Sequence, residues 1–291
     1  MVTPLLLCLI GFFAGVLGGL LGIGGSIVMI PAMTELLGPQ QHLYQAAAMI
    51  VNFFVVLPAV IQHHRAGAIM GGVVRRMAPM AVVAVVLGVG ASEWSVFRGR
   101  GQAWLVLLFA AFLCYVAVRN LLKLRRSEQH HAAEGAPFDP QRDGWKAALV
   151  AGLPTGFVGG LLGVGGGIVC VPFQNRFLNI PLRNAIANSA ATILTLSLIG
   201  AFTKNWALAT QHPQYTVAEP LKLAGMLIPT AMVGAWIGSR LTHVLPIRAL
   251  RIVFTVFLFV AALRMAWHGY DDLRLPLQHT PATPASPAPA P

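Results

Sequence analysis

The chain is short of charge. Only 10% of its 291 residues are Asp, Glu, Lys or Arg, while 56% are apolar. A soluble domain of this length needs far more polar surface, so the composition excludes one and reads as a polytopic membrane protein. Cysteine is scarce too: Cys8, Cys114 and Cys170 cannot complete a disulfide set and have no metal-ligand spacing. They read as small buried hydrophobes, and no motif calls for a metal or a cofactor. Carboxylates are scarcest of all. Glu35, Glu93, Glu128, Glu134, Asp139, Asp143, Glu219, Asp271 and Asp272 each fall at the edge of an apolar run or in a connection. Without a carboxylate at mid-membrane, a cation site or an Asp/Glu proton relay is hard to build, which favours an anion as substrate.

The net charge of +11 does not point to nucleic acid. The Lys and Arg residues sit at the ends of apolar runs and in short connections, where they meet lipid headgroups and set orientation. The N-terminus lacks the basic flank of a signal peptide, and Leu5-Leu6-Leu7-Cys8 has no small residue for lipoprotein cleavage, so it reads as the first membrane segment.

The fold class expected is all-α, with about eight transmembrane helices near residues 4–22, 45–62, 76–92, 103–122, 145–163, 184–202, 221–239 and 249–268. Two shorter apolar pieces, 25–37 and 166–178, run past Pro31 and Pro172. Thirteen residues reach only about 20 Å, short of the roughly 30 Å hydrocarbon core, so these read as re-entrant half-helices. The polar stretch 125–144 divides the chain into repeats 1–124 and 145–270, and the Pro/Ala-rich 271–291 reads as a disordered tail. With eight spans, thirteen Lys and Arg fall on one side, Arg65, Arg75, Arg76 and Lys204 among them; seven fall on the other, including Arg98 and Arg240. That bias places both termini and the linker in the cytoplasm. Five spans per half would instead make the repeats inverted.

Repetition is the strongest signal. Residues 11–31, GFFAGVLGGLLGIGGSIVMIP, match residues 152–172, GLPTGFVGGLLGVGGGIVCVP, at 12 of 21 positions with an offset of 141. Glycine-broken hydrophobic segments in corresponding places of two halves point to a transporter's central site. A helix broken inside the membrane frees N–H groups, and the half-helix that follows presents donors and a positive dipole end to an anion. The donors expected are those at Gly24, Gly25 and Ser26 and at Gly165, Gly166 and Gly167. Asn52 in the first half, with Asn188 and Ser189 in the second, would add side-chain contacts. Asn188, Thr192 and Thr195 share helical spacing and suit either a substrate path or helix–helix bonding. Gly11-xxx-Gly15, Gly18-xxx-Gly22, Gly88-xxx-Ser92 and Gly234-xxx-Gly238 fit close helix packing. His63, His64 and Arg65 read as interfacial anchors with a second reading as a pathway mouth, and His130 and His131 as inert linker residues.

At GGLLGIGGSIVMIP, GGLLGVGGGIVCVP and the HHRAG of His63–Gly67, the chain resembles the sulfite exporter TauE/SafE family over roughly residues 5–268. The resemblance implies a permease of the cytoplasmic membrane for sulfite, a sulfonate or a related sulfur anion. Ala47-Ala48 stands where many members carry Thr-Ser, and the second half keeps only Asn188-Ser189. The expected partners are a small anion and the bilayer, with a homo-oligomer left open. The competing readings are an anion channel, a non-transporting scaffold, and an intramembrane hydrolase pairing Ser26 with His63 or His64.

Overall fold

The computed structural model describes residues 2–38, 40–97, 101–126, 144–241 and 247–274. The linker and the tail therefore lie almost wholly outside the described residues, as do His130 and His131. The helices are α1 (Val2–Leu21), α2 (Ser26–Leu37), α3 (Gln41–Arg65), α4 (Gly71–Ser92), α5 (Gln102–Arg126), α6 (Gly144–Lys146), α7 (Leu153–Leu162), α8 (Gly167–Phe177), α9 (Leu182–Gln211), α10 (Ala218–Leu241) and α11 (Ile247–Arg274). No strand occurs among the described residues. All eight expected spans and both short pieces are helical, and the chain is an all-helical multi-pass membrane protein. Among the described residues six helices are both long and apolar enough to cross a bilayer. The fifth expected span is not one uniform helix. It is α6, a π-helical stretch (Ala147–Gly152) and α7 in succession, and its apolar part is too short to count among the six.

Glycine sets how the helices pair. Gly11, Gly15 and Gly19 of α1 lie against Leu227, Ala231 and Ala235 of α10, so closely that a methyl group on Gly15 would collide with the Ala231 carbonyl. Gly152, Gly156 and Gly160 repeat this against Met77, Ala81 and Val85 of α4. The packing line is thus an i, i+4, i+8 row, as close helix contact in lipid requires. Gly18 and Gly159 face the returning segments of their own halves instead, and Gly22 and Gly163 belong to the breaks. Gly88, Gly234 and Gly238 are packing glycines as expected, against the backbone at Phe157, Phe12 and Val16. Ser92 is not: it accepts a hydrogen bond from Lys204 Nζ at 2.8 Å.

These registers fix direction. Contacts that rise together make α1 parallel to α10 and α7 parallel to α4. Helices α3 and α9, related by the 141 offset, run antiparallel: Asn205 Nδ2 meets the Ala46 carbonyl at 3.4 Å, and Gly200 meets Met49. Gly269 of α11 beside Ala103 and Leu107 of α5 makes that pair antiparallel too. Each glycine break folds its half-helix back along the helix before it, so α2 and α8 return to the end from which α1 and α7 set out.

This corrects the expected grouping of charges. Lys204 lies with Glu93, at the opposite end of the bundle from Arg65, and Arg65 shares a cavity with Arg240. The start of α1 and the end of α11 share one end, and the end of α5 and the start of α6 share the other. The termini and the linker thus depart from opposite ends. The eight apolar runs are helices as expected; the sidedness differs because α1 with α2, and α7 with α8, return to their starting side rather than making a net crossing.

Candidate functional site

The two breaks are built the same way. Gly22 (φ +62°) and Gly24 (φ +79°) turn the chain in the first, and Gly163 (+72°), Gly165 (+67°) and Gly166 (+74°) turn it in the second. These are left-handed conformations that residues with a Cβ rarely adopt, which is why the turns need glycine. The breaks meet between α3 and α9. Gly167 packs on Gly22 and Ile23 of the other half, and Ser189 Oγ donates to the Gly22 carbonyl at 2.9 Å. On the other side Gln45 packs on Gly163 and its Nε2 donates to the Leu161 carbonyl at 3.3 Å. Each break is thus held by a helix of the opposite half.

Asn52 is the hub. Its Oδ1 accepts from the N–H groups of Gly25 (2.9 Å) and Ser26 (3.1 Å), and its Nδ2 donates to Ser26 Oγ at 2.9 Å. Its amide also faces both Gly24 and Gly165, where an added Cβ would come within 2.9 Å of it. The donors of the first half-helix are therefore already engaged, contrary to their expected freedom to bind an anion: a side-chain carbonyl fills the acceptor position that the start of α2 creates. Among the described residues no side chain accepts from the start of the second half-helix in this way. The 141 offset places Ile193 opposite Asn52, and Ile193 packs on Gly165 and Gly167 with nothing to accept a hydrogen bond.

The structure thus brings together Gly24, Gly25, Ser26, Asn52, Gly165, Gly166, Gly167 and Ser189. It does not bring Asn188 with them. Asn188 Oδ1 accepts from the Met70 N–H at 2.8 Å and its Nδ2 donates to Gln174 Oε1 at 3.0 Å, tying α9 to α8 and to the α3–α4 turn. Thr192 bonds back to the Asn188 carbonyl at 2.8 Å and Thr195 is exposed, so the polar stripe is no path. His63 is buried, whereas His64 and Arg65 are exposed. Ser26 is bonded to Asn52, which stands eleven residues, about 16 Å of helix, before His63 on α3, so Ser26 and His63 do not pair.

A second constellation escaped the sequence reading. Glu93, placed at the edge of a span, is buried where α4 ends, and among its described contacts are three basic groups from distant parts of the chain. Lys204 Nζ lies 2.6 Å from Glu93 Oε1, His212 Nε2 lies 2.8 Å from Oε2, and His42 Nδ1 lies 3.3 Å from Oε1. Lys204 is fully buried, and its ammonium reaches Ser92 Oγ and His42 Nδ1 (3.0 Å) as well, using all three donors. Burial alone would raise the Glu93 carboxyl; contact with His42 and the Lys204 charge outweigh it and hold the group well below the usual carboxylate range. By residue type His42, Glu93 and His212 form a metal-ligand set. The Lys204 ammonium, however, already stands in the cation position among them.

The family model for "Sulfite exporter TauE/SafE" matches residues 7–265. The chain belongs to that family. Among its relatives, the "Probable membrane transporter protein MamO" of Paramagnetospirillum magneticum is 28% identical over 89% of the chain and 44% of that protein. A "Probable membrane transporter protein" of Haemophilus influenzae is 28% identical over 91% of the chain and 99% of its own length. One from Methanocaldococcus jannaschii is 27% identical over 89% and 94%. The chain spans less than half the length of the MamO proteins it matches. No solved structure matches it.

Proposed function

We propose that the chain is a permease that moves a small oxyanion, of the sulfite or sulfonate class, across the cytoplasmic membrane by alternating access. One observation carries this reading: two half-helices begin at the meeting point of the repeats, and among the described residues a side chain caps the N–H donors of the first and none caps those of the second. The start of α8 offers N–H groups and a positive dipole end to an oxyanion, with Asn52 Nδ2 beside Gly165 as an added donor. Family membership supports transport, as do the relatives named as probable membrane transporters. The antiparallel α3–α9 pair supplies two arms that rock against each other around a fixed centre.

Orientation follows from charge. Arg65, Arg75, Arg76, Arg119, Lys146, Arg176, Arg183 and Arg240 lie towards the linker end among the residues whose side chains are described, against Lys204, Lys222, Arg264 and Arg274 towards the terminal end. The linker end is therefore the cytoplasmic one. There a cavity of about 480 Å³, lined by Arg65 and Arg240 with Gln62 and Trp236, forms a cationic mouth between α3 and α10.

The test is flux into proteoliposomes holding only this chain, comparing sulfite, thiosulfate, sulfate and a sulfonate. Saturable flux of at least one sulfur anion is expected, and it should be lost in Gly165→Val, where a β-branched residue at φ +67° would also push Asn52 aside. Normal flux in that variant, or none for any anion in the parent chain, would contradict the proposal.

A further inference from the structure

A row of exposed side chains runs along the outer face of α10 to the linker end. Met226, Pro229, Val233 and Trp236 follow one another at spacings of three and four, and Arg240 completes the row one turn further on. The apolar part of such a row is the surface that a lipid chain meets. At its end the Arg240 guanidinium lies over the Trp236 ring, 3.6 Å from the centroid. A tryptophan and an arginine together mark the depth of the headgroups. Across the cavity of about 480 Å³ stands Arg65, the last residue of α3, with exposed Ile61 one turn before it. Gln62 joins the two walls, its Nε2 donating to the Trp236 carbonyl at 3.2 Å.

Two guanidiniums therefore line one cavity, and no described carboxylate pairs with either. Glu35, Glu93, Glu219 and Asp271, the carboxylates whose side chains are described, all lie towards the terminal end. From this geometry we propose that the cavity between α3 and α10 binds an anionic phospholipid, with its phosphate between Arg65 and Arg240 and an acyl chain along the exposed face of α10. Arginine suits a phosphate because its planar fork bonds two oxygens at once. The cavity is of the size that holds a small polar group. Basic pockets between helices on the cytoplasmic side are where such headgroups bind. The apolar row adds contacts that a free anion has no means to use.

This site is separate from the start of α8. Arg65 stands thirteen residues, about 20 Å of helix, beyond Asn52, so the lipid does not depend on the permease reading. A zwitterionic lipid fits less well. Its quaternary ammonium brings another positive charge to the two arginines, and the Trp236 face that would hold it is already covered by Arg240. The related place at the terminal end is built differently: the 141 offset puts Trp206 where α3 has Arg65, and Thr203 where it has Gln62. Bound in the cavity, the lipid ties the end of α3, the helix of Asn52, to α10. Glycines 11, 15 and 19 in turn pack α1 closely on α10.

Native mass spectrometry of the purified full chain tests this, with phosphatidylglycerol and phosphatidylcholine carrying the same acyl chains. The first phosphatidylglycerol is expected to bind about tenfold more tightly than phosphatidylcholine. Arg65→Gln and Arg240→Gln should each cut that preference about fivefold, the effect of one basic residue beside a headgroup. Arg75→Gln, exposed at the same end but outside the cavity, should leave it unchanged. A bound ligand also raises the thermal midpoint. Phosphatidylglycerol should do so for the parent chain and not for the double variant of Arg65 and Arg240. Without lipid the two midpoints should match, because both side chains are exposed. Competition identifies the source of the anion: millimolar inorganic phosphate or thiosulfate is expected to leave the lipid in place. Equal affinity for the two lipids, a preference that survives both substitutions, or one that Arg75→Gln lowers as much, overturns the site. Displacement by inorganic phosphate or thiosulfate overturns it as well, and makes the cavity a mouth for free anions. A dimer whose interface covers this face does the same.

Discussion

Replacing Asn52 by leucine is expected to abolish anion flux and to lower the thermal midpoint of the purified protein. Leucine fills the space but strands the Gly25 and Ser26 N–H groups, and Ser26 Oγ loses its donor. Buried groups left unsatisfied cost roughly 1–3 kcal/mol each, so the break would reshape rather than tolerate the change. Asn52→Asp separates folding from binding. A carboxylate still accepts from both N–H groups at the start of α2, where negative charge is favoured, and the Ser26 hydroxyl can turn to donate to it. The thermal midpoint should therefore recover. The new charge, however, would sit beside Gly165. A negative charge several ångströms from a bound anion costs enough, at the effective dielectric of a protein, to reduce flux by about tenfold or more. Normal flux in either variant would remove Asn52 from the site.

The other large effect is expected at the buried Lys204–Glu93 pair. Lys204→Met should destabilise the protein by roughly 3–5 kcal/mol, because it removes a fully buried ammonium from 2.6 Å of the buried Glu93 carboxylate. Adding Glu93→Gln should restore most of that loss, since the pair then vanishes together instead of leaving one charge behind. Thermal unfolding of the two single variants and the double variant in detergent gives the coupling directly. The pH dependence has a definite sign. The folded carboxyl of Glu93 is held below its ordinary value, so its contribution is present above the ordinary carboxylate range and is lost as pH falls. The gap between the parent chain and Glu93→Gln should be widest near neutrality and narrow in acid. Additive single-variant effects, with no recovery in the double variant, would mean that the contacts of Lys204 with Glu93, Ser92 and His42 contribute little.

Much of the architecture was legible in the sequence because lipid enforces it. Apolar runs of about twenty residues, and glycines repeated at an offset of 141, mark helices and breaks without any tertiary information. The orientation was not legible, since it turns on whether a helix and its returning half-helix make a net crossing. That is settled by the αL turns at Gly22 and Gly163, and composition alone does not count such turns. The site was legible in part. Glycine density located both breaks, and Asn52 stood out as an amide among apolar neighbours. That Asn52 would occupy the first set of donors was not visible, though the substitution at its counterpart, Ile193, carried the asymmetry. The charged cluster was missed for a different reason. Glu93 and Lys204 each sit near the end of an apolar run, where a charge ordinarily meets water, and their pairing spans 111 residues. The available signal was a lysine, Lys204, still within the α9 helical pattern of AFTKNWALAT, where a solvated end was assumed.

The most direct measurement is amide NMR of glycine-labelled protein in nanodiscs, titrated with sulfite and with thiosulfate. Saturable downfield shifts are expected at the Gly166 and Gly167 N–H groups, with Gly25 unmoved because Asn52 holds it, and the shifts should disappear in Gly165→Val. Shifts at Gly25 in place of Gly166 and Gly167, or no glycine response in a preparation that still transports either anion, would contradict an oxyanion site at the start of α8.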